Sequence, residues 1–161
     1  MERYFEEIGE KRKIKAERKY FKFNPEIPLS KEYLSLLTKK DLTDYEMISI
    51  PKENHQGFQM GWHVDDCSTH KNSKKHQEKY NFPKYTLYSI NPPPVYTAVL
   101  YYSTFNQDFR GGEFCFIDEE IKPQKYQGIF FNSQEVHQVK LITQGTRKCI
   151  LLKFYDKNHR D

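Results

Sequence analysis

Cysteine, glycine and tryptophan are scarce in this sequence, and long apolar runs are absent from it. The 161 residues include 3 cysteines, 7 glycines and 1 tryptophan. Cys67, Cys115 and Cys149 lie far apart, so they form neither a zinc knuckle nor a framework of disulfides. No apolar run approaches the roughly 20 residues that a transmembrane helix requires. These absences exclude a disulfide scaffold, a zinc finger and a helical membrane protein.

The excess of positive over negative charge is also small. The net charge is +4, and much of the basic excess falls in residues 11–22. A nucleic-acid-binding domain usually has a stronger basic stripe and a recognisable reading motif, so we expect no nucleic-acid partner and no membrane partner. The first residues do not resemble a secretory leader and the last do not form a retention signal. We therefore expect a cytoplasmic protein, with the endoplasmic reticulum as the alternative if the sequence is a fragment.

The N-terminal quarter of the chain has the pattern of helices. Apolar residues at Phe5, Ile8 and Ile14 give the segment up to Phe23 the weak hydrophobic face of a helix. Ser30 is a suitable N-cap for a second, shorter helix. Its core-facing side is predicted to consist of Tyr33, Leu34, Leu36 and Leu37.

From residue 45 the pattern changes to short runs of β-branched and aromatic residues, separated by Gly, Pro and Asn. Aromatic residues make up 16% of the chain and favour strands. The runs are Met47–Ile50, Phe58–Val64, Thr86–Ile90, Tyr96–Tyr102, Gly112–Ile117, Gly128–Phe131, Val136–Ile142 and Lys148–Tyr155. Seven or eight strands of this length predict a sandwich or a barrel.

The expected architecture is one mainly β domain over residues 1–161. A helical part, residues 1–44, would buttress one sheet of a β-roll that extends over residues 45–156. The polar segment 68–84, with five lysines and two histidines, interrupts the strands. It is either an active-site flap or a plain surface loop.

Candidate metal ligands occur in the run Gly61-Trp62-His63-Val64-Asp65. Residues i and i+2 of a strand point to the same face of a sheet, so His63 and Asp65 can reach one metal ion. Such a pair also occurs by chance in surface strands. The other candidate ligand is His137, at the start of a later run.

Arg147 and His137 lie in two consecutive strand-like runs that a turn separates. If Thr143-Gln144-Gly145 closes an antiparallel hairpin, Arg147 lies across the ladder from His137. Two imidazoles and one carboxylate on one side of a metal leave three positions open, as in the facial triad of non-haem Fe(II) oxygenases. A guanidinium is the natural bidentate partner for the remote carboxylate of a dicarboxylic co-substrate.

These residues resemble the prolyl hydroxylase branch of the 2-oxoglutarate-dependent oxygenases. The resemblance extends from about Trp62 to Tyr155 and rests on three motifs. They are His63-Val-Asp65, Phe109-Arg-Gly-Gly-Glu-Phe114, and His137 followed ten residues later by Arg147. Short neighbouring segments are most similar to the leprecan-type prolyl 3-hydroxylases: His63-Val-Asp-Asp-Cys67, Thr97-Ala-Val-Leu-Tyr-Tyr102, Gly111-Gly-Glu-Phe-Cys-Phe116 and Val136-His-Gln-Val-Lys140.

The resemblance implies a double-stranded β-helix (jelly roll) that carries out Fe(II)- and 2-oxoglutarate-dependent oxygenation. It implies that His63, Asp65 and His137 bind iron, that Arg147 holds the C5 carboxylate of 2-oxoglutarate, and that Tyr101 lines the oxoacid pocket. It also implies dioxygen as a co-substrate, and leaves ascorbate open as a further reductant.

The substrate implied by the resemblance is a residue of a protein or peptide, proline first. A proline-rich peptide would suit an aromatic-lined groove. The candidates for that lining are Trp62, Tyr85, Tyr88, Tyr96 and Tyr102. Two alternatives stay open: a hydroxylase of lysine or of a small molecule, and a jelly-roll module that binds metal without catalysis.

Overall fold

The computed structural model describes residues 17–65 and 94–157 in full, and the backbone alone of residues 2–7, 10–15 and 86–87. One α-helix and thirteen strands are present among them. The helix is α1 (Lys31–Thr38), and the strands are β1 (Glu2–Glu7), β2 (Glu10–Lys15), β3 (Lys19–Lys22), β4 (Tyr45–His55), β5 (Met60–Val64), β6 (Thr86–Leu87), β7 (Tyr96–Tyr101), β8 (Phe109–Gly111), β9 (Phe114–Phe116), β10 (Glu119–Ile121), β11 (Gln127–Asn132), β12 (His137–Val139) and β13 (Ile142–Asp156).

Two sheets contain most of these strands. The larger sheet has the order β3-β11-β7-β13-β4, and the smaller has the order β10-β9-β12-β5-β6. All pairings are antiparallel except the parallel one between β5 and β6. Strand β8 pairs with the start of β13, and β1 and β2 form a separate two-stranded sheet. The prediction of a mainly β, jelly-roll-like fold is confirmed.

Strand β7, in the middle of the larger sheet, is buried on both faces. Ala98 and Leu100 point into a cluster on the outer face, which also contains Leu34 of α1. Val99 and Tyr101 point to the inner face, where they pack against Phe114 and other residues of the smaller sheet. The inner cluster therefore joins the two sheets, and the candidate site lies at this junction.

No described helix is long and apolar enough to cross a membrane.

The predicted first helix is wrong. Residues 2–7 and 10–15 pair as antiparallel strands, and β3 joins the edge of the larger sheet. In β3, Lys19 and Phe21 are half-buried while Tyr20 and Lys22 are exposed, which is the alternation of a strand. The three apolar residues of this segment make too weak a helical face to outweigh the pairing of β1 with β2 and of β3 with β11. The two predicted helices that were to cover one sheet are thus reduced to α1.

The second predicted helix is present and begins after Ser30. The Ser30 side chain accepts a hydrogen bond from the backbone N–H of Tyr33, as an N-cap does. Leu34 is fully buried, but Leu36, predicted to face the core, is 77% exposed. An eight-residue helix turns only one narrow stripe inward, and Leu36 lies outside it.

The predicted hairpin between His137 and Arg147 is also wrong. Strand β13 is continuous through Gly145, which has a positive φ of 82° and pairs with Phe109. Strand β12 pairs with β5 and β9, so His137 and Arg147 belong to different sheets. The segment 68–84, expected to be an active-site flap or a plain surface loop, lies outside the described residues.

Two leucines of α1 provide a test of its packing. We expect Leu34→Ala to lower the free energy of unfolding by about 2–5 kcal/mol, because it leaves a cavity in the core. We expect Leu36→Ala to change it by less than about 0.5 kcal/mol, because this side chain is exposed. Chemical denaturation of both variants measures the difference. Equal losses would show that α1 does not pack through Leu34.

Candidate active site

Strands β5 and β12 bring the two candidate histidines together. They pair so that His63 lies opposite His137, with 4.1 Å between the ring centroids. Asp65 follows β5 and turns to the same side as His63. Its Oδ1 lies 3.4 Å from Nε2 of His63, and its Oδ2 lies 3.8 Å from Nε2 of His137. One donor atom from each residue lies within 4.8 Å of the others, close enough to bind one metal ion.

Backbone carbonyls set the orientation of both rings. Nδ1 of His63 donates to the carbonyl of Gly61 at 2.8 Å, and Nδ1 of His137 donates to the carbonyl of Glu135 at 2.8 Å. Because a carbonyl oxygen can only accept, each Nδ1 carries the proton. Each Nε2 is therefore left with a lone pair directed at the shared centre, as in metal-binding histidines.

Two neighbouring side chains hold the carboxylate of Asp65. Lys153 donates to Oδ2 at 2.6 Å, and the hydroxyl of Thr97 donates to the same oxygen at 3.1 Å. Burial alone would raise the pKa of Asp65. The imidazoles of His137 and His63 and the ammonium of Lys153 outweigh this effect and hold the pKa well below its usual range. Asp65 is thus ionised, with Oδ1 left for a metal.

Burial has the opposite consequence for His137. It lowers the pKa of His137 to about 3, and the neighbouring ring of His63 acts in the same direction. The imidazole is accordingly neutral at ordinary pH. A neutral imidazole is the form that binds a metal ion.

Arg147 is buried at the other side of the same pocket. Its guanidinium donates to Asn54 Oδ1 at 3.0 Å, to the hydroxyl of Tyr101 at 3.0 Å and to the sulfur of Cys149 at 3.3 Å. Its Nε is buried and has no hydrogen-bond partner within the described part of the chain. A buried donor without a partner is costly, so a guanidinium held in this way is suited to an anion that enters the pocket.

A cavity of about 290 Å³ connects the two ends of the site. His63, Asp65, His137 and Arg147 all line it. Its remaining wall is largely apolar and includes Phe58, Met60, Val99, Phe114, Phe131, Val139 and Leu151. The cavity joins the three potential metal donors to the guanidinium of Arg147 through a space with largely apolar walls.

Tyr101 and the proposed aromatic groove differ from expectation. Tyr101 is fully buried and contacts Arg147, but it is not among the residues that line this cavity. Tyr96 and Tyr102 belong to the outer core cluster, and Trp62 packs against Val64 and Val136. Of these three side chains, Tyr96 is buried, whereas Tyr102 and Trp62 are half-buried. The other two, Tyr85 and Tyr88, lie outside the described residues.

Three polar residues of the site were missed in the sequence: Asn54, Thr97 and Lys153. The spacing of Lys153 could have revealed it. It lies six positions after Arg147 on one strand, so both point to the same face. Thr97 likewise shares a face with Val99. Nothing in the sequence marks Asn54, because only the pairing of β4 with β13 places it opposite Arg147.

A family model described as "2OG-Fe(II) oxygenase superfamily" matches residues 48–156. The chain belongs to this superfamily. The match includes the two histidines, Asp65 and Arg147. The resemblance to its prolyl hydroxylase branch, read from the sequence, is confirmed by the relatives.

Two curated relatives and one solved structure illustrate the similarity. The chain is 28% identical over 154 residues, 86% of its length, to "Prolyl 3-hydroxylase 1" of Gallus gallus. It is 40% identical over 65 residues, 37% of its length, to "2-oxoglutarate and iron-dependent oxygenase domain-containing protein 3" of Xenopus tropicalis. The chain spans 18% and 20% of the length of these two proteins.

The solved structure is a prolyl-4-hydroxylase of Pseudomonas putida. Its TM-score with this chain is 0.52, at 18% sequence identity. The match covers 78% of this chain and 63% of the other. At this identity the likeness concerns the fold. It supports the arrangement of two facing sheets that positions the site.

The lowered pKa of His137 predicts that acid destabilises the metal-free protein. The pKa is about 3 in the folded state and about 6.5 in an unfolded chain, so between these values the unfolded state binds more protons. Stability is present above about pH 6.5 and falls by about 1.4 kcal/mol for each pH unit below it. His137→Gln should lose less stability between about pH 6.5 and 5 than the wild type. Denaturant titrations with a chelator present measure both slopes, and equal slopes would contradict the prediction.

Proposed function

We propose that this protein is an Fe(II)- and 2-oxoglutarate-dependent dioxygenase that hydroxylates a residue of a protein or peptide, with proline as the first candidate. The observation that carries the proposal is the presence of His63, Asp65, His137 and Arg147 around one cavity. The first three would hold the metal, and Arg147 would bind the co-substrate.

The donor set fits Fe(II). Two imidazole nitrogens and one carboxylate oxygen on one side of an ion leave positions open for other ligands, as in non-haem Fe(II) oxygenases. A structural zinc site would use four protein donors, and a calcium site would use oxygen atoms alone. His63, Asp65 and His137 would therefore hold the iron. Lys153 and Thr97 would keep Asp65 in place through Oδ2.

With 2-oxoglutarate and dioxygen, iron in this site would supply the oxidising chemistry for hydroxylating a C–H bond, with release of succinate and carbon dioxide. Arg147 would bind the far carboxylate of the oxoacid, and its orphaned Nε supports that role. Tyr101 and Asn54 would fix the position of the guanidinium through their hydrogen bonds to it. Leu151 and the phenylalanines of the cavity would exclude water from the reacting groups.

Arg147 also favours an oxygenase over a module that only binds metal. A buried guanidinium with an unpartnered donor serves no purpose in a site that binds metal alone. The relatives named for prolyl hydroxylation support proline as the substrate residue. Lysine or a small molecule is the second candidate, because the donor set and Arg147 would serve such a substrate equally well.

Arg147→Ala should weaken the binding of 2-oxoglutarate by at least about 30-fold, or about 2 kcal/mol, because it removes one partner of a buried charge pair. Anaerobic titration of the Fe(II)-loaded protein with 2-oxoglutarate measures this through the weak visible band that a keto acid on iron produces. Asp65→Ala, which lacks a metal ligand, should show no band at all. Arg110→Ala is the matched control, since Arg110 is exposed. A wild-type protein that binds metal without the band would be a metal-binding jelly roll.

The substrate class requires a separate experiment. Peptides that contain proline should stimulate succinate formation and gain one oxygen atom, as mass spectrometry detects. The same peptides with proline replaced by alanine should do neither. Stimulation by peptides with lysine in place of proline, but not by the proline peptides, would support the rival substrate while leaving the oxygenase assignment intact.

A further inference from the structure

Arg18 lies before the segment matched by the family model, yet it reaches the loop next to a candidate metal ligand. Its side chain is only 6% exposed. Nε donates to Oε1 of Glu135 at 3.1 Å, and Nη2 donates to Oε2 of the same carboxylate at 3.2 Å. This is the two-point geometry in which a guanidinium binds a carboxylate most strongly. The Glu135 side chain is 1% exposed, so the pair is buried.

Further contacts fix the guanidinium on the smaller sheet. It lies 2.8 Å from Oδ1 of Asp118 and 3.3 Å from Oε1 of Glu119, at the turn between β9 and β10. Its Cζ lies 3.9 Å from the centre of the Phe116 ring. Arg18 is therefore held at a defined position by β9 and β10, and it holds Glu135 in turn.

The loop that contains Glu135 contacts two of the three candidate ligands through its backbone. The carbonyl of Glu135 accepts the Nδ1–H of His137 at 2.8 Å, which orients that ring. The carbonyl of Ser133 accepts the backbone N–H of Asp65 at 3.1 Å. A displacement of residues 133–135 would move the acceptors on which both His137 and Asp65 depend.

We propose that Arg18 is a positioning residue of the metal site, which acts through the Glu135 carboxylate on the loop that orients His137 and Asp65. Without the guanidinium, Glu135 would be a buried charge that has lost its bidentate partner, and the loop would shift to bring the carboxylate towards water. The carbonyl of Glu135 would move with it. The inference rests on the proposed function, because it assigns Arg18 to the same metal site.

The test is the affinity of the metal-free 161-residue chain for Co(II), an air-stable stand-in for Fe(II), followed through its visible absorption. Arg18→Met should weaken this affinity by about 10- to 100-fold, the usual effect of removing a group that orients a ligand. Arg18→Lys should be intermediate, since an ammonium cannot make two parallel hydrogen bonds to one carboxylate. Titrations are made at a temperature at which every variant is folded, and thermal midpoints are recorded alongside.

Lys40→Met is the matched control. Lys40 pairs with Glu17, the residue before Arg18, at 2.8 Å. The substitution therefore breaks a partly exposed ion pair of the same segment without touching the loop that contains Glu135. Its Co(II) affinity should stay within about twofold of the wild type, as expected of a pair of little energetic weight. If Arg18→Met does not fold, Arg18→Met combined with Glu135→Gln removes the buried charge together with its partner. In this double variant the loop has still lost its anchor on β9 and β10, so a weakened Co(II) affinity is expected of it as well.

The outcomes separate the two proposals. A lower thermal midpoint with unchanged Co(II) affinity, in Arg18→Met or in the double variant, would assign Arg18 to stability alone and overturn its positioning role. A wild-type protein that binds no Co(II) would overturn the metal site itself, and with it the proposed function.

Discussion

An ionised carboxylate in an apolar cavity is the constraint around which this site is built. Asp65 is 5% exposed, and burial by itself would favour its protonated form. Lys153 and Thr97 both donate to Oδ2, and the two imidazoles approach the carboxylate from the other side. The two hydrogen bonds to Oδ2 replace part of the hydration that burial removes. The same contacts leave Oδ1 and the two Nε2 atoms as a set of donors with a common direction.

The two facing sheets divide the work of the site between them. The smaller sheet supplies both histidines through the pairing of β5 with β12, and Asp65 follows directly from β5. The larger sheet supplies Arg147 and Lys153 from β13, six residues or about 20 Å apart along one face of the strand. Arg147, the proposed anchor of the oxoacid, and Lys153, the partner of Asp65, therefore lie towards opposite ends of the cavity. The packing of the inner core sets their distance from the metal donors.

The segment that the family model matches, residues 48–156, does not by itself contain every residue that supports the site. Arg18 comes before that segment, and its contact with Glu135 links an N-terminal strand region to the loop beside His137. Its guanidinium is surrounded by three carboxylates and one aromatic ring, which restrict it to one position. The N-terminal region was expected to form a helix. Instead, its strand β3 joins the edge of the larger sheet, and Arg18, directly before β3, pairs with the buried carboxylate of Glu135.

Much of the site was determined by the sequence itself. Alternation along a strand is a local property, so His63 and Asp65 could be assigned to one face without a fold. The spacing of His137 and Arg147, together with the resemblance it supports, identified the other two residues, and the short aromatic runs indicated a mainly β fold. The tertiary structure alone decided that His137 and Arg147 lie on different sheets, that residues 2–22 contain strands, and that Asn54, Thr97, Lys153 and Arg18 surround the site. These features depend on pairing between distant strands, and pairing energy comes from neighbours that a local pattern does not contain.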